Sequence, residues 1–314
     1  MIYHLQRIFI TIFLCGFSVC GFAVPVIGPP GIVMASSPHE LGVGVVTEIT
    51  HNSISLSEVD SLTGSLPLNL TVMINLDDSA WISLDDKVIF SVSRYKKTAN
   101  KSAYAPRKKG PVIVALIGAN PAIFKYSQKM SRYFEKLVLK QKQSTTQLMD
   151  LDGNESAHVK TFWVSEVGFD THRLGSIEGK RKQQLIGFVL DREVEVEARN
   201  LIFNRLFLEP SFSKERPQLF EVTRKIISQS IAKGQEGKDQ LLLISALKWL
   251  GDDVKLEDLD LLKAMMRNNN VSVVETSLNN LRSLGSHYEN EAMIKALSEN
   301  PTKNIKRLIH LRRR

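Results

Sequence analysis

The chain has 314 residues, of which 43% are hydrophobic and 24% charged, with 41 Lys and Arg against 33 Asp and Glu for a net charge of +8. These are the proportions of an ordinary globular chain, and they exclude a disordered polyanion, a collagen-like repeat and a polytopic membrane protein. At about 100–200 residues per domain, two domains are expected, each able to bury its own core.

The N-terminus reads as an export signal. His4 and Arg7 give a polar start, Ile8–Leu14 is a charge-free apolar run, and small residues follow from Gly16 to Ala23. That order is the signal-peptide pattern. Cleavage is expected after Ala23, with a second candidate end at Ala35, and it would make the protein periplasmic or secreted. An uncleaved anchor is the alternative, but Pro25, Pro29 and Pro30 oppose a helix that runs so far. Cys15 and Cys20 are the chain's two cysteines, and both lie in this segment. Leu14 and Val19 precede them where lipid attachment needs a small residue, so no lipidation is expected. The remaining chain has no thiol, which excludes cysteine catalysis, thiolate zinc sites and iron–sulfur ligation.

After the Pro- and Gly-rich spacer 24–38 the pattern alternates with period two. Val43–Ile49, Ile54–Val59, Leu68–Ile74, Val88–Val92, Val112–Ile117 and Ala122–Tyr126 are predicted strands, with turns at Thr63-Gly64 and Asp85-Asp86. Short strands at this spacing indicate a small antiparallel barrel or sandwich. Ser131–Leu139 then reads as an amphipathic helix with Phe134, Leu137 and Val138 on its apolar side.

The succession of Gly42–Ile49, a run ending in Ser65–Val72, Leu84–Phe90, two strands and a helix resembles the OB-type barrel of the TIMP/netrin-like class, as found in secreted bacterial proteins. The resemblance covers about a third of the chain and implies an OB-type barrel. It implies no inhibitory activity, because the N-terminal cysteine of the eukaryotic inhibitors is absent; Asp86 also stands where the pattern more often has glycine.

His158–Ser165 and Gln184–Leu190 read as strands around a loop at 168–182, a β-rich link between two halves. From about Glu197 the apolar period becomes 3.6, in stripes such as Leu243, Leu247 and Leu250, and then Val271, Val274, Leu278 and Leu281. Leu247–Gly251 matches Leu281–Gly285 at a spacing of 34, each helix closed by a glycine expected in left-handed geometry. That period suggests HEAT-like helical repeats, with an irregular helical bundle as the alternative. The expected fold class is α+β in two domains: a signal peptide over 1–23 (alternative end 35), an OB-like barrel with its terminal helix over 39–142, a β-rich connection over 143–196, and an α-helical repeat domain over 197–314.

Catalytic motifs are missing: the chain has no HExxH, GxSxG, P-loop or GxGxxG pattern. Asp150–Asn154 imitates the start of a calcium loop, but Glu155 stands where the loop needs glycine and Thr161 where it needs a bidentate glutamate. His158, Glu166, Asp170 and His172 form the best candidate cluster for metal or acid–base work. If the chain were extended there, Asp170 and His172 would point to one face, so a metal-dependent hydrolase using His158, Asp170 and His172 is one reading.

Charge carries more information. From His39 to Val92 eight acids face Lys87 alone, a net of −7, whereas from Arg94 to Lys142 thirteen bases face Glu135 alone, a net of +12. The densest part is Arg94, Lys96, Lys97, Lys101, Arg107, Lys108 and Lys109, acid-free and interleaved with Tyr95 and Tyr104. Such a run is either a solvated loop, free or docked on the chain's own acidic strands, or a patch for an anionic partner. The expectation is an exported, non-enzymatic binding or scaffold protein that engages a protein or an anionic envelope component through this loop and a helical surface. No cofactor and no metal are expected, nor any integral membrane domain after signal cleavage. Binding of an anionic polymer such as a glycan, lipid head groups or nucleic acid is the second reading, with nucleic acid disfavoured by export.

Overall fold

The computed structural model describes residues 28–74, 81–94, 111–116, 120–139, 155–232, 239–300 and 302–313. The expected signal segment 1–23 and the calcium-loop imitation 150–154 lie outside the described residues. No described helix is long and apolar enough to cross a membrane.

The first half is a closed barrel. A short helix, α1 (Pro30–Ala35), precedes β1 (His39–Ile49), β2 (Ser53–Ser61), β3 (Leu70–Met73), β4 (Lys87–Arg94), β5 (Pro111–Ile113) and β6 (Ile123–Lys125). Neighbours run β1-β2-β3-β5-β4, and β4 pairs back onto β1, so five strands close on themselves. The β3–β5 pair is parallel and the others are antiparallel. Beyond the ring, β6 pairs with the first half of β4.

Closure needs a sharply bent β1, and the sequence supplies the means. A Cβ on Gly42 would lie 2.7 Å from Leu66 and 3.1 Å from the Asp60 carbonyl oxygen. Opposite, β2 carries an extra residue between Ser57 and Asp60, where Glu58 takes φ +51°. A bulge of this kind tightens strand twist and bends the sheet. Inward residues such as Val46, Leu56, Val72, Val88 and Phe90 are fully buried or nearly so, as period-two alternation requires.

α2 (Gln128–Val138) follows, capped by Ser127 Oγ, which accepts from Met130 N. Its buried Phe134 joins the barrel core, with Leu137 and Val138 partly buried beside it. The rest of the described chain is helical: α3 (Ala157–Phe169), α4 (Thr171–Gly175), α5 (Lys180–Leu190), α6 (Val196–Leu208), α7 (Arg216–Ala232), α8 (Gln240–Leu250), α9 (Leu259–Ala264), α10 (Val271–Leu284), α11 (Ser286–Glu299) and α12 (Lys303–Arg312). One layer stacks α3, α6, α8, α10 and α12 in turn; α5, α7 and α9 stack in the other, and α11 packs on the 3₁₀ turn Met265–Arg267 that ends α9. The sequence repeat falls on corresponding ends of α8 and α10, which are stacked neighbours.

Two expectations are corrected. The stretch predicted as β-rich is helical: the supposed strands at 158–165 and 184–190 lie inside α3 and α5, so the helical array begins near Ala157 rather than Glu197. Every residue from Lys160 to Gly168 is buried, because α3 lies between the barrel core, reached by Phe162 and Trp163, and the helical core, reached by Val164 and Val167. A helix buried all round has no apolar stripe, and its sequence reads like a buried strand. The second correction concerns Gly251, which is right-handed (φ −55°, ψ −24°), while Gly285 alone of the pair has positive φ, at +153°. At Gly251 the requirement is space: a Cβ would lie 3.0 Å from Asn280 Oδ1. The missing side chain lets Asn280 Nδ2 reach the Leu247 carbonyl at 2.8 Å.

Candidate functional site

The cationic segment has a defined root. Arg94 ends β4 and pairs with Pro111, which opens β5, so residues 95–110 form the connection between these neighbours. The backbone of Arg94 is described; Lys96, Lys97, Lys101, Arg107, Lys108 and Lys109 lie outside the described residues. The Asp85-Asp86 turn sits at the other end of β4, about 23 Å away at 3.3 Å per strand residue. Asp86 is already engaged there, accepting from Ser83 N at 2.7 Å and pairing with Lys125 Nζ at 3.0 Å. The barrel therefore has an acidic turn at one end of β4 and the cationic connection at the other.

The His158, Glu166, Asp170 and His172 cluster does not assemble. His158 and Glu166 lie eight residues apart on α3, about 12 Å along its axis. Asp170 is a helix cap, accepting from Arg173 N at 2.9 Å, and α4 begins at Thr171, so the extended geometry that would align Asp170 with His172 is absent. His172 is exposed. Among the described residues no group of three or more His, Cys, Asp or Glu is placed to hold a metal ion.

Glu166 instead fastens the two halves together. Its carboxylate is 1% exposed. It accepts from Gly31 N of α1 at 2.7 Å and from the Tyr133 hydroxyl of α2, with Arg173 Nη1 at 3.5 Å. Burial raises the Glu166 pKa, against the lowering effect of Tyr133, Gly31 and Arg173. Burial and the Glu166 charge push Tyr133 well above its ordinary value. Gly31 is required here, since a Cβ would sit 2.6 Å from the Tyr133 hydroxyl. The lone acid in an otherwise apolar run was the one sequence signal of this clasp, and Gly31, 135 residues away, gave none.

His158 has a different setting. It lines a pocket of about 300 Å³ together with Trp81, Phe124, Tyr126 and Val159, and with the charged residues Lys125, Lys129 and Glu155. The imidazole stacks on Phe124 (centroids 4.5 Å apart, 24°) and tilts against Trp81 at 5.3 Å. Burial lowers its pKa to about 4 in spite of hydrogen bonds to the Ile123 and Pro121 carbonyls, so the ring is neutral at pH 7.

Comparison with family models, with curated proteins and with solved structures finds no match to this chain.

Proposed function

We propose that this chain is an exported, non-enzymatic binding protein that engages an anionic envelope component through the connection between β4 and β5, with the helical array as its scaffold. One observation carries the reading: seven cations and no acid lie between Arg94 and Lys109, in a single inter-strand connection at one end of a closed barrel. A 1-2-3-5-4-1 closure with a parallel β3–β5 pair supports an OB-type barrel, in which the β4–β5 loop is one of the usual ligand-binding loops. Two stacked helical layers support the HEAT-like reading, a form of scaffold that presents extended surfaces. Fold alone does not fix function, so the cations bear the weight of the argument.

Export places the partner outside the cytoplasm, and α1 bears on where the signal ends. Cleavage after Ala35 would remove Met34, which is fully buried, and Gly31, whose N–H holds Glu166. Cleavage after Ala23 keeps both, and the reading takes that site.

The test is equilibrium binding of the chain to heparin, a defined polyanion, over a salt series. Affinity should fall steeply with salt, and Lys108→Glu with Lys109→Glu should weaken binding at least tenfold while making the salt dependence shallower. Salt-insensitive binding, or unchanged binding in the variant, would count against it.

A further inference from the structure

The pocket around His158 has a specific chemical character, independent of the cationic segment. His158 Nε2 lies 3.0 Å from the Pro121 carbonyl oxygen and 3.0 Å from that of Ile123. Both partners are acceptors only, so Nε2 must carry the hydrogen. Backbone pairing fixes these carbonyls, because β6 is registered on β4 with Ile123 opposite Phe90. A neutral ring with its proton on Nε2 leaves Nδ1 as a bare acceptor. Nδ1 has no hydrogen-bond partner among the described residues.

The rest of the wall is mostly carbon. Phe124 and Trp81 flank the imidazole, Val159 adds an apolar surface, and Lys87 Nζ sits 4.6 Å from the Tyr126 ring centroid. Rim Lys125 is paired with Asp86. The polar oxygens of Ser127 and Ser156 are taken up as helix caps, accepting from Met130 N and Val159 N. Lys129 and Glu155 complete the lining, and Glu155 Oε2 is buried without a hydrogen-bond partner among the described residues, so the pocket offers a ligand stacked aromatic surface, the oriented His158 acceptor and one carboxylate oxygen. Its volume exceeds the roughly 150 Å³ of an engineered cavity that takes up benzene, which leaves room for a bicyclic ring.

We propose that this pocket binds a small neutral aromatic molecule of the indole or phenol class, whose N–H or O–H donates to His158 Nδ1. Ring stacking supplies affinity, and the hydrogen bond to His158 supplies selection. A site with a directed polar group discriminates against analogues that cannot satisfy it.

Indole, p-cresol and N-methylindole, the last lacking the donor, are titrated into the purified chain by calorimetry. Indole and p-cresol should bind saturably, and N-methylindole about tenfold more weakly than indole, the factor expected for one net hydrogen bond. Trp81→Ala should weaken all three. His158→Phe should bring indole down to the affinity of N-methylindole while leaving the latter in place. Should that variant fail to fold, the comparison of indole with N-methylindole on the unaltered chain and on Glu155→Gln decides the matter, a preference for indole that disappears in Glu155→Gln counting against His158 as the acceptor. Equal affinity for these two, no saturable binding of indole and p-cresol, or indifference to Trp81→Ala would overturn the proposal.

Discussion

The barrel and the helical array satisfy their buried backbone by different means. In the barrel, strand pairing takes up the polar groups, and among the described strands the one buried polar side chain is Ser91, whose hydroxyl donates to the Met34 carbonyl at 2.9 Å. The array is an open stack, and among its buried polar side chains Asp258, Asn268, Asn280 and Asn300 meet backbone groups at or beside helix ends. Asn300 Nδ2 donates to the Met266 and Asn268 carbonyls at 2.8 and 3.0 Å, while its Oδ1 accepts from Thr302 N at 2.9 Å. Asp258 takes Arg224 Nε at 2.8 Å, tying α7 to the turn before α9. Helix termini leave carbonyls and N–H groups without partners, and closed β ladders leave few. The barrel should thus be vulnerable to apolar truncation, and the array to loss of single amides and carboxylates as well.

The largest effect should come from the barrel. Phe90→Ala empties a site of zero exposure on β4 and should cost about 3–5 kcal/mol in urea unfolding. Because α3 contributes to both cores, loss should appear as one cooperative transition rather than two.

Glu166→Ala attacks the joint itself. It strips Gly31 N and the Tyr133 hydroxyl of their acceptor and leaves Arg173 beside Asp170 alone, at a cost of about 3 kcal/mol. Separation of far-UV and near-UV unfolding curves in this variant would show the halves uncoupled; coincident curves with no loss would refute the clasp.

The two ends of α3 should respond to pH with opposite signs. Folded His158 titrates near 4 and its unfolded form near 6.5, so its contribution is complete above about 6.5 and is lost as the pH falls toward 4. The difference amounts to about 3 kcal/mol by pH 4. His158→Gln should flatten that part of the stability profile. Glu166 is raised, so its contribution is complete at acid pH and declines as the pH rises through its folded value. Glu166→Gln should remove that opposing slope. Profiles unchanged by both substitutions would contradict the assigned environments.

Asn300→Ala should cost the least, about 2 kcal/mol, by leaving buried carbonyls unpaired. An unchanged midpoint would show that water replaces the amide, and the contrast between the halves would then fail.

Legibility divides along similar lines. Strands packed on one face carry a period of two, and β4, buried from Val88 to Val92, reads as a short apolar run bounded by turns, so all six were readable, along with the later helices that keep a solvent face. Helix α2 begins three residues before the predicted Ser131 because the Ser127 cap extends the helix past its apolar stripe. Helix α3 was misread because burial on both sides erases the stripe, and in α5 the adjacent buried pairs Leu185-Ile186 and Phe188-Val189 imitate a strand. The pocket was out of reach for another reason. His158 acquires its tautomer from carbonyls 35 and 37 residues earlier, and local spacing carries no trace of that encounter.

The measurement that tests the account most directly compares two charge reversals of equal size at different places. Lys108→Glu with Lys109→Glu alters the β4–β5 connection, whereas Lys303→Glu with Arg307→Glu alters exposed residues of α12. Heparin affinity is determined for both at one fixed salt concentration. The account predicts a loss of at least tenfold for the first pair and less than threefold for the second. Equal losses would mean that net charge alone draws the polyanion, and the β4–β5 connection would not be its site.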